Sequence, residues 1–197
     1  MNKQVLLNYL KEKNNEEEVI SLLKEQKKVL ANPKNASLTL KNDYFSLIIK
    51  LLRKSKGKIK YNAIILISNI GFCMDAKNFH EMCKIAAESS SDKDGDIRHA
   101  CFHLIKNLNS LIKILPIINT IKKTSEAEVN LFYEYFRNLF YRLYSLFFKL
   151  DDNIIRKSIL RSLGIMLPKI YGMAEFWNDR EEMSMVSRIK DEMSKML

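Results

Sequence analysis

The feature that most constrains the fold is a set of apolar positions that recurs at helical spacing in three places. In the first copy, one arc of a helix holds Ile59, Ala63, Leu66, Ile67 and Ile70. The five positions recur 38 residues later, and again 58 residues after that. They then hold Ile97, Cys101, Leu104, Ile105 and Leu108, followed by Ile155, Ile159, Ser162, Leu163 and Met166. This shared pattern predicts repeated structural units, since a helical period alone gives only one apolar arc per helix.

The neighbour of the first apolar position is basic in every copy, as Lys60, Arg98 and Arg156. Each copy is also preceded by a second amphipathic segment. The predicted helix pairs are 41–54 with 58–71, 75–89 with 96–109, and 126–150 with 152–171. A period near 38 residues built of two helices is typical of stacked helical hairpins, in which neighbouring pairs bury each other's apolar faces. With only five Gly and three Pro in the chain, the sequence predicts an all-α fold.

The turn before the second copy carries a recognisable motif. Residues 94–101 read DGDIRHAC, and residues 152–159 read DNIIRKSI. Both resemble the turn and second helix of the HEAT/armadillo repeat family, over about residues 41–171, although Lys58-Ile59-Lys60 lacks the acidic residue. The resemblance implies a right-handed α-α superhelix that binds proteins or, less often, nucleic acid. It also implies a ladder of acidic and basic side chains on Asp96, Arg98 and Arg156.

The remaining segments complete one predicted helical-repeat domain over residues 1–197. Helices at 3–13 and 15–31 are expected to precede the repeat core of about 41–171. Residues 110–119 account for the longer second spacing, and we expect them to form an inserted short helix kinked near Pro116. Residues 174–197 are acidic and rich in methionine. They are expected to form a capping helix, since terminal repeats need a polar outer face.

The sequence offers no set of residues for catalysis or for a cofactor. Its glycines are isolated, so it has neither a phosphate-binding loop nor a nucleophile elbow. A zinc site would draw on His80, Cys83, His99 and His103. The helical wheel argues against this site. It places Cys83 in the core, whereas His99 and His103 lie on the face of their own helix that is opposite its apolar arc. We therefore predict no enzyme activity, no cofactor and no metal.

The cysteines and the apolar runs bear on where the protein resides. The three cysteines lie in predicted helices and are expected to be small buried hydrophobes in a reducing compartment. No run reaches the roughly 20 apolar residues of a membrane span. The sequence thus predicts a cytoplasmic protein.

Two functions are compatible with these features. The first is a protein-binding scaffold. Its predicted contacts are aromatic, arginine and histidine side chains outside the apolar arcs, namely Tyr135, Arg137, Tyr141, Arg142, His99 and His103. The second is a nucleic-acid-binding repeat protein, similar in architecture to the DNA alkylation repair glycosylases. The net charge is +10, and residues 31–60 contain eight basic residues and one acidic residue. The predicted anion-binding residues are Lys50, Arg53, Lys54, Lys56, Lys58 and Lys60.

Overall fold

Helices joined by short connections make up the described parts of the chain. The computed structural model describes residues 3–30, 44–69, 75–122 and 125–195, and over these residues it contains helices and no strands. The prediction of an all-α fold is therefore confirmed for them. In chain order the helices are α1 (Lys3–Glu12), α2 (Glu16–Leu30), α3 (Tyr44–Lys54), α4 (Gly57–Ser68), α5 (Ala76–Ser89), α6 (Gly95–Lys122), α7 (Glu126–Lys149), α8 (Asn153–Phe176) and α9 (Arg180–Ser194).

The helices pack both as consecutive pairs and in series. Each of the pairs α3/α4, α5/α6 and α7/α8 packs together, and α2, α4, α6 and α8 contact one another in turn. Helix α1 contacts α3, and α5 contacts α7. The side chain of Arg53 on α3 also forms an ion pair of 2.8 Å with Glu81 on α5, so these two helices are adjacent. The three sequence copies thus lie on α4, α6 and α8, which contact one another in chain order.

The repeated apolar positions form much of the core between the helices. Every one of them within the described residues is at most 6% exposed, which confirms the predicted arcs; Ile70 lies outside the described residues. Ser162 is the one polar member and is 2% exposed. Its hydroxyl donates to the carbonyl oxygen of Ser158 over 3.3 Å, so the polar group is satisfied where it is buried.

Three predicted helix boundaries are wrong. Residues 110–119 are not a separate helix, because α6 runs without interruption from Gly95 to Lys122. Buried Leu111, Ile112 and Leu115 extend its apolar arc. Likewise α8 does not end at 171 but continues to Phe176, past Gly172, since a single glycine costs a helix only about 1 kcal/mol. The capping segment therefore begins later than 174, with α9 at Arg180.

The predicted ladder on Asp96, Arg98 and Arg156 is also wrong, because the carboxylate that pairs with a basic side chain at this turn is that of Asp92. The Lys60 ammonium donates to Asp92 Oδ2 over 2.6 Å. Arg98 donates to the backbone carbonyl oxygens of Asp92 and the next residue over 2.7 and 2.9 Å. The guanidinium of Arg156 instead lies over the ring of Phe147, 4.6 Å from its centroid. Asp96 sits one turn later, on the exposed side of α6.

Replacing Asp92 with asparagine is expected to destabilise the protein by about 1 kcal/mol at pH 7. Burial raises the pKa of Asp92, but Lys60, the backbone N–H of Asp94 and nearby Arg98 outweigh it and hold the pKa below its ordinary value of 3.8. A lowered pKa in the folded protein stabilises it above that ordinary value and stops doing so as pH falls through the folded pKa. Urea unfolding of both proteins should therefore show a difference that shrinks below about pH 3.8. A difference that is constant with pH would contradict this assignment.

Candidate functional site

The exposed side of α6 is basic along most of its described length. Opposite its buried arc, side chains at helical spacing face solvent, and none of them is acidic: His99, His103, Lys106, Ser110 and Lys113. The one acidic residue of α6 is Asp96, in its first turn. The helix therefore presents a row of potential cations whose charge no acidic neighbour on the same helix offsets beyond that turn.

A second basic row lies on α8. Lys157 and Arg161 are exposed and Lys169 is half-buried, whereas the one acidic residue of this helix is Glu175, near its end. Helices α6 and α8 are neighbours, and the Arg161 guanidinium lies 5.3 Å from the centroid of the Phe102 ring on α6. The two rows thus form one surface. This surface, here called the α6/α8 basic face, comprises Arg98, His99, Lys106, Lys113, Lys157, Arg161 and Lys169.

Like charges approach one another across this face. Burial, and then the charge of Lys113, lower the pKa of Lys169. Burial also lowers the pKa of His103, as do His99, Lys106 and Lys27 of α2. Placing cations together opposes folding, and such a cluster is a candidate for an anion-binding site. Within the described ranges, no side chain of the basic face forms an ion pair with an acid.

The first turns of the two helices lie side by side and Lys113 lies near Lys169 further along, so the helices run in the same direction. A cavity of about 300 Å³ opens between these turns, and its wall includes Arg98, His99, Lys157 and Arg161. Further along the same two helices, Lys113 is near enough to Lys169 for its charge to lower the pKa of Lys169. The basic face is thus continuous from this cavity towards the middle of both helices.

The basic run predicted from sequence is divided by ion pairs. Arg53 pairs with Glu81 at 2.8 Å and Lys60 pairs with Asp92 at 2.6 Å. The other four members are exposed at the end of α3 and the start of α4, namely Lys50, Lys54, Lys56 and Lys58. Their binding of an anion stays a prediction, and two of the six charges already have acidic partners within the chain.

Three of the predicted partner contacts are engaged inside the protein. The Tyr135 ring packs on His80 with centroids 4.1 Å apart. Arg137 and Tyr141 both donate to the carboxylate of Glu182 on α9, over 3.4 and 3.0 Å. These residues therefore hold the chain together, and a role in partner binding stays a prediction for them.

The other three predicted partner contacts remain accessible to a ligand. Arg142 is exposed on α7. His99 and His103 are exposed on α6, with their Nε2 atoms 3.1 Å apart. His99 belongs to the α6/α8 basic face, and His103 lies beside it in the exposed row of α6. Arg142 lies apart from them, on a helix of the other series.

The thiols of Cys83 and Cys101 lie in the core. Cys83 and Cys101 are buried and free, and burial raises the pKa of Cys101 to about 12. The Cys101 thiol donates to the carbonyl oxygen of Ala86 over 3.0 Å. Among the residues that the structure describes, no three His, Cys, Asp or Glu side chains are grouped so that they could hold a metal ion. Cys73 lies outside these residues.

Neither the hydropathy of the described helices nor similarity to known proteins indicates a function. None of the described helices combines the length and the apolar character needed to cross a membrane. Comparison with protein-family models, with curated proteins and with solved structures found no match to this chain. The geometry and charge of the α6/α8 basic face are therefore the observations on which a functional proposal rests.

Proposed function

We propose that this protein is a helical-repeat protein that binds nucleic acid through the α6/α8 basic face. The observation that carries the proposal is the convergence of seven basic side chains from two neighbouring helices, which form no ion pair with an acid within the described residues. In this proposal the helix pairs stack as a short HEAT-like superhelix. The series of contacts between α2, α4, α6 and α8 supports that arrangement.

The dimensions of the face suit a phosphate backbone. From His99 to Lys113 the basic row of α6 extends over about 21 Å, at the usual rise of an α-helix. Successive phosphates of one DNA strand advance by about 3.4 Å along the duplex axis, so this row could face about six of them. Lysine and arginine bind phosphates through charge and hydrogen bonds, and they need no particular base sequence. The proposal is therefore one of binding without strong sequence preference.

A short DNA duplex is expected to bind at micromolar concentration in ~50 mM salt and to dissociate by ~200 mM salt. Fluorescence anisotropy with a labelled duplex measures both. Changing Lys106, Lys113 and Lys157 to glutamine should weaken binding by about tenfold or more. It should also reduce the slope of log K against log salt by about 3, since each lost phosphate contact removes about 0.9.

A matched control removes three positive charges elsewhere. Lys77, Arg142 and Lys149 are exposed on α5 and α7, and changing all three to glutamine lowers the net charge by the same amount. This variant should retain most of the affinity for the duplex. Equal weakening by both triple variants would mean that net charge alone attracts DNA, which would contradict the proposed face. No binding of the wild-type protein in ~50 mM salt would overturn the function itself.

A second candidate function, a protein-binding scaffold, is favoured by exposed aromatic side chains where α8 ends. Phe176 is 82% exposed and Trp177 is 40% exposed. Nearby, the Trp177 ring packs edge-on against Tyr133, with centroids 5.1 Å apart. Large exposed aromatic groups are frequent at protein interfaces. A protein with this function alone should bind the duplex at neither salt concentration, so the same titration separates the two candidates.

A further inference from the structure

The cavity between the first turns of α6 and α8 contains two arginine side chains that other groups hold in place. Arg98 donates through Nη1 to the backbone carbonyl oxygens of Asp92 and Lys93, over 2.7 and 2.9 Å. Arg161 lies over the ring of Phe102. Both guanidinium groups therefore reach the cavity from fixed positions, and less side-chain entropy is lost when they bind a ligand.

Three further groups complete the polar lining of the cavity, namely His99 on α6 and Lys157 and Ser158 on α8. Lys157 is exposed and Ser158 is partly buried, and both line the same volume of about 300 Å³. The backbone N–H groups at the start of α8 are already used, because Asp152 Oδ1 accepts from Ile154 and Ile155 over 2.8 and 3.0 Å. An anion in the cavity would therefore be held by side chains, with little help from the N-terminus of this helix.

We propose that this cavity binds the terminal phosphate of a nucleic-acid strand, an inference that rests on the proposed function. Arginine donates two parallel hydrogen bonds to phosphate oxygens. Arg98, Arg161, Lys157 and Ser158 surround the cavity with donors, which three free phosphate oxygens can engage from more directions than the two of a backbone phosphodiester. A terminal phosphate monoester has three free oxygens and a charge of about −1.5 to −2 at pH 7. The donors and the charge of the cavity match the monoester better.

The position of the cavity agrees with a strand that enters by its end. The cavity lies where α6 and α8 begin, and the cations of the basic face continue from it towards Lys113 and Lys169. A strand whose terminal phosphate occupies the cavity would therefore have its next phosphates over the remaining basic residues. Exposed Ile154, which is 69% exposed at the rim, would then lie beside the terminal nucleotide. The cavity would fix where on the face the strand begins.

The test compares duplexes of one sequence that carry a 5′-phosphate, a 3′-phosphate or only hydroxyl ends, by anisotropy in ~100 mM salt. We expect at least one phosphorylated duplex to bind about tenfold more tightly than the hydroxyl duplex, because a charge of up to −2 enters a site with three cationic side chains. Arg161→Gln should abolish this preference. Arg161→Lys keeps the charge but loses the paired donors, and it should also lose most of the preference.

Lys169→Gln is the matched control, since Lys169 lies on the same face but outside the cavity. It should weaken binding to all three duplexes by the same factor and leave the preference unchanged. Equal affinity of the wild-type protein for the three duplexes would overturn this inference and leave the proposed function standing. No binding to any duplex would overturn both. A phosphoserine peptide that binds more tightly than the phosphorylated duplex would assign the cavity to a protein ligand and also overturn the inference.

Discussion

Replacing Phe136 with alanine is expected to lower the free energy of unfolding by about 3–5 kcal/mol. Phe136 lies in the middle of α7, is fully buried, and belongs to a core that includes side chains from all nine described helices. Removing its ring leaves a cavity that the surrounding helices can fill only in part. For a chain of this length, such a loss corresponds to a decrease in Tm of about 6–20 °C, which thermal unfolding followed by circular dichroism measures.

Phe148 provides the matched control, because it is an aromatic residue of the same helix that is 51% exposed. Phe148→Ala removes the same atoms but less buried surface, so we expect it to cost about 1 kcal/mol or less. Equal destabilisation by the two substitutions would mean that Phe136 is not part of a closed core. That result would contradict the packing of α7 against α5 and α8.

The apolar arcs of α4, α6 and α8 could be predicted because they depend on local spacing and on one repeated environment. A helix of fixed pitch places the matching residues Ile67, Ile105 and Leu163 on the apolar sides of their helices. All three are fully buried. The same pattern did not indicate where a helix ends. Helix α6 continues past Ser110 because its apolar positions continue at helical spacing. A longer interval between two copies of the repeat is compatible with a longer helix or with an additional helix, and the sequence does not distinguish the two.

The acidic partners could not be predicted in the same way, since they are distant in sequence. Arg53 pairs with Glu81, which is 28 residues away, and Lys60 with Asp92, which is 32 residues away. A contiguous run of lysines and arginines attracts notice in a sequence, yet the fold neutralises part of it. The motif of the HEAT family also indicates Asp96 as the acidic residue of the ladder, whereas the geometry of the turn brings Asp92 to Lys60.

The α6/α8 basic face was not predicted, because it is not a contiguous run of basic residues. Its members are few on either helix and far apart along the chain, with Lys113 and Lys169 separated by more than 50 residues. Only the parallel packing of the two helices brings them together. One signal in the sequence could have indicated them, which is the complete lack of acidic residues over 97–122 and 153–174. Counting charge per helix would have detected this, whereas counting charge per window along the chain favoured residues 31–60.

The orientation of α9 explains why Arg137 and Tyr141 are not free. Both lie outside the apolar arc of α7, and for that reason the sequence suggested a recognition surface. In the structure α9 packs on α8, and its Glu182 reaches back to α7. The Tyr141 hydroxyl donates to Glu182 Oε1 over 3.0 Å, and Arg137 donates to Oε2 over 3.4 Å. A polar residue outside an apolar arc can therefore serve to attach the next helix.

Glu182→Ala is expected to lower the free energy of unfolding by about 2 kcal/mol. The Glu182 side chain is only 7% exposed, and its loss leaves the Tyr141 hydroxyl and one side of Arg137 without their acceptor. The effect stays below that of breaking a fully buried ion pair, because Arg137 is 38% exposed and water can solvate it. Urea unfolding of the two proteins measures the difference.

Glu181 is the matched control for this substitution, since it is the neighbouring glutamate in the same first turn of α9 and is exposed. Glu181→Ala makes the same change in charge and in helix propensity, and it should alter stability by about 0.5 kcal/mol or less. If the two variants are equally stable, then buried Val186, Ile189 and Met193 hold α9 in place without help from Glu182. Tyr141 and Arg137 would in that case be available to an external ligand, as the sequence alone had suggested.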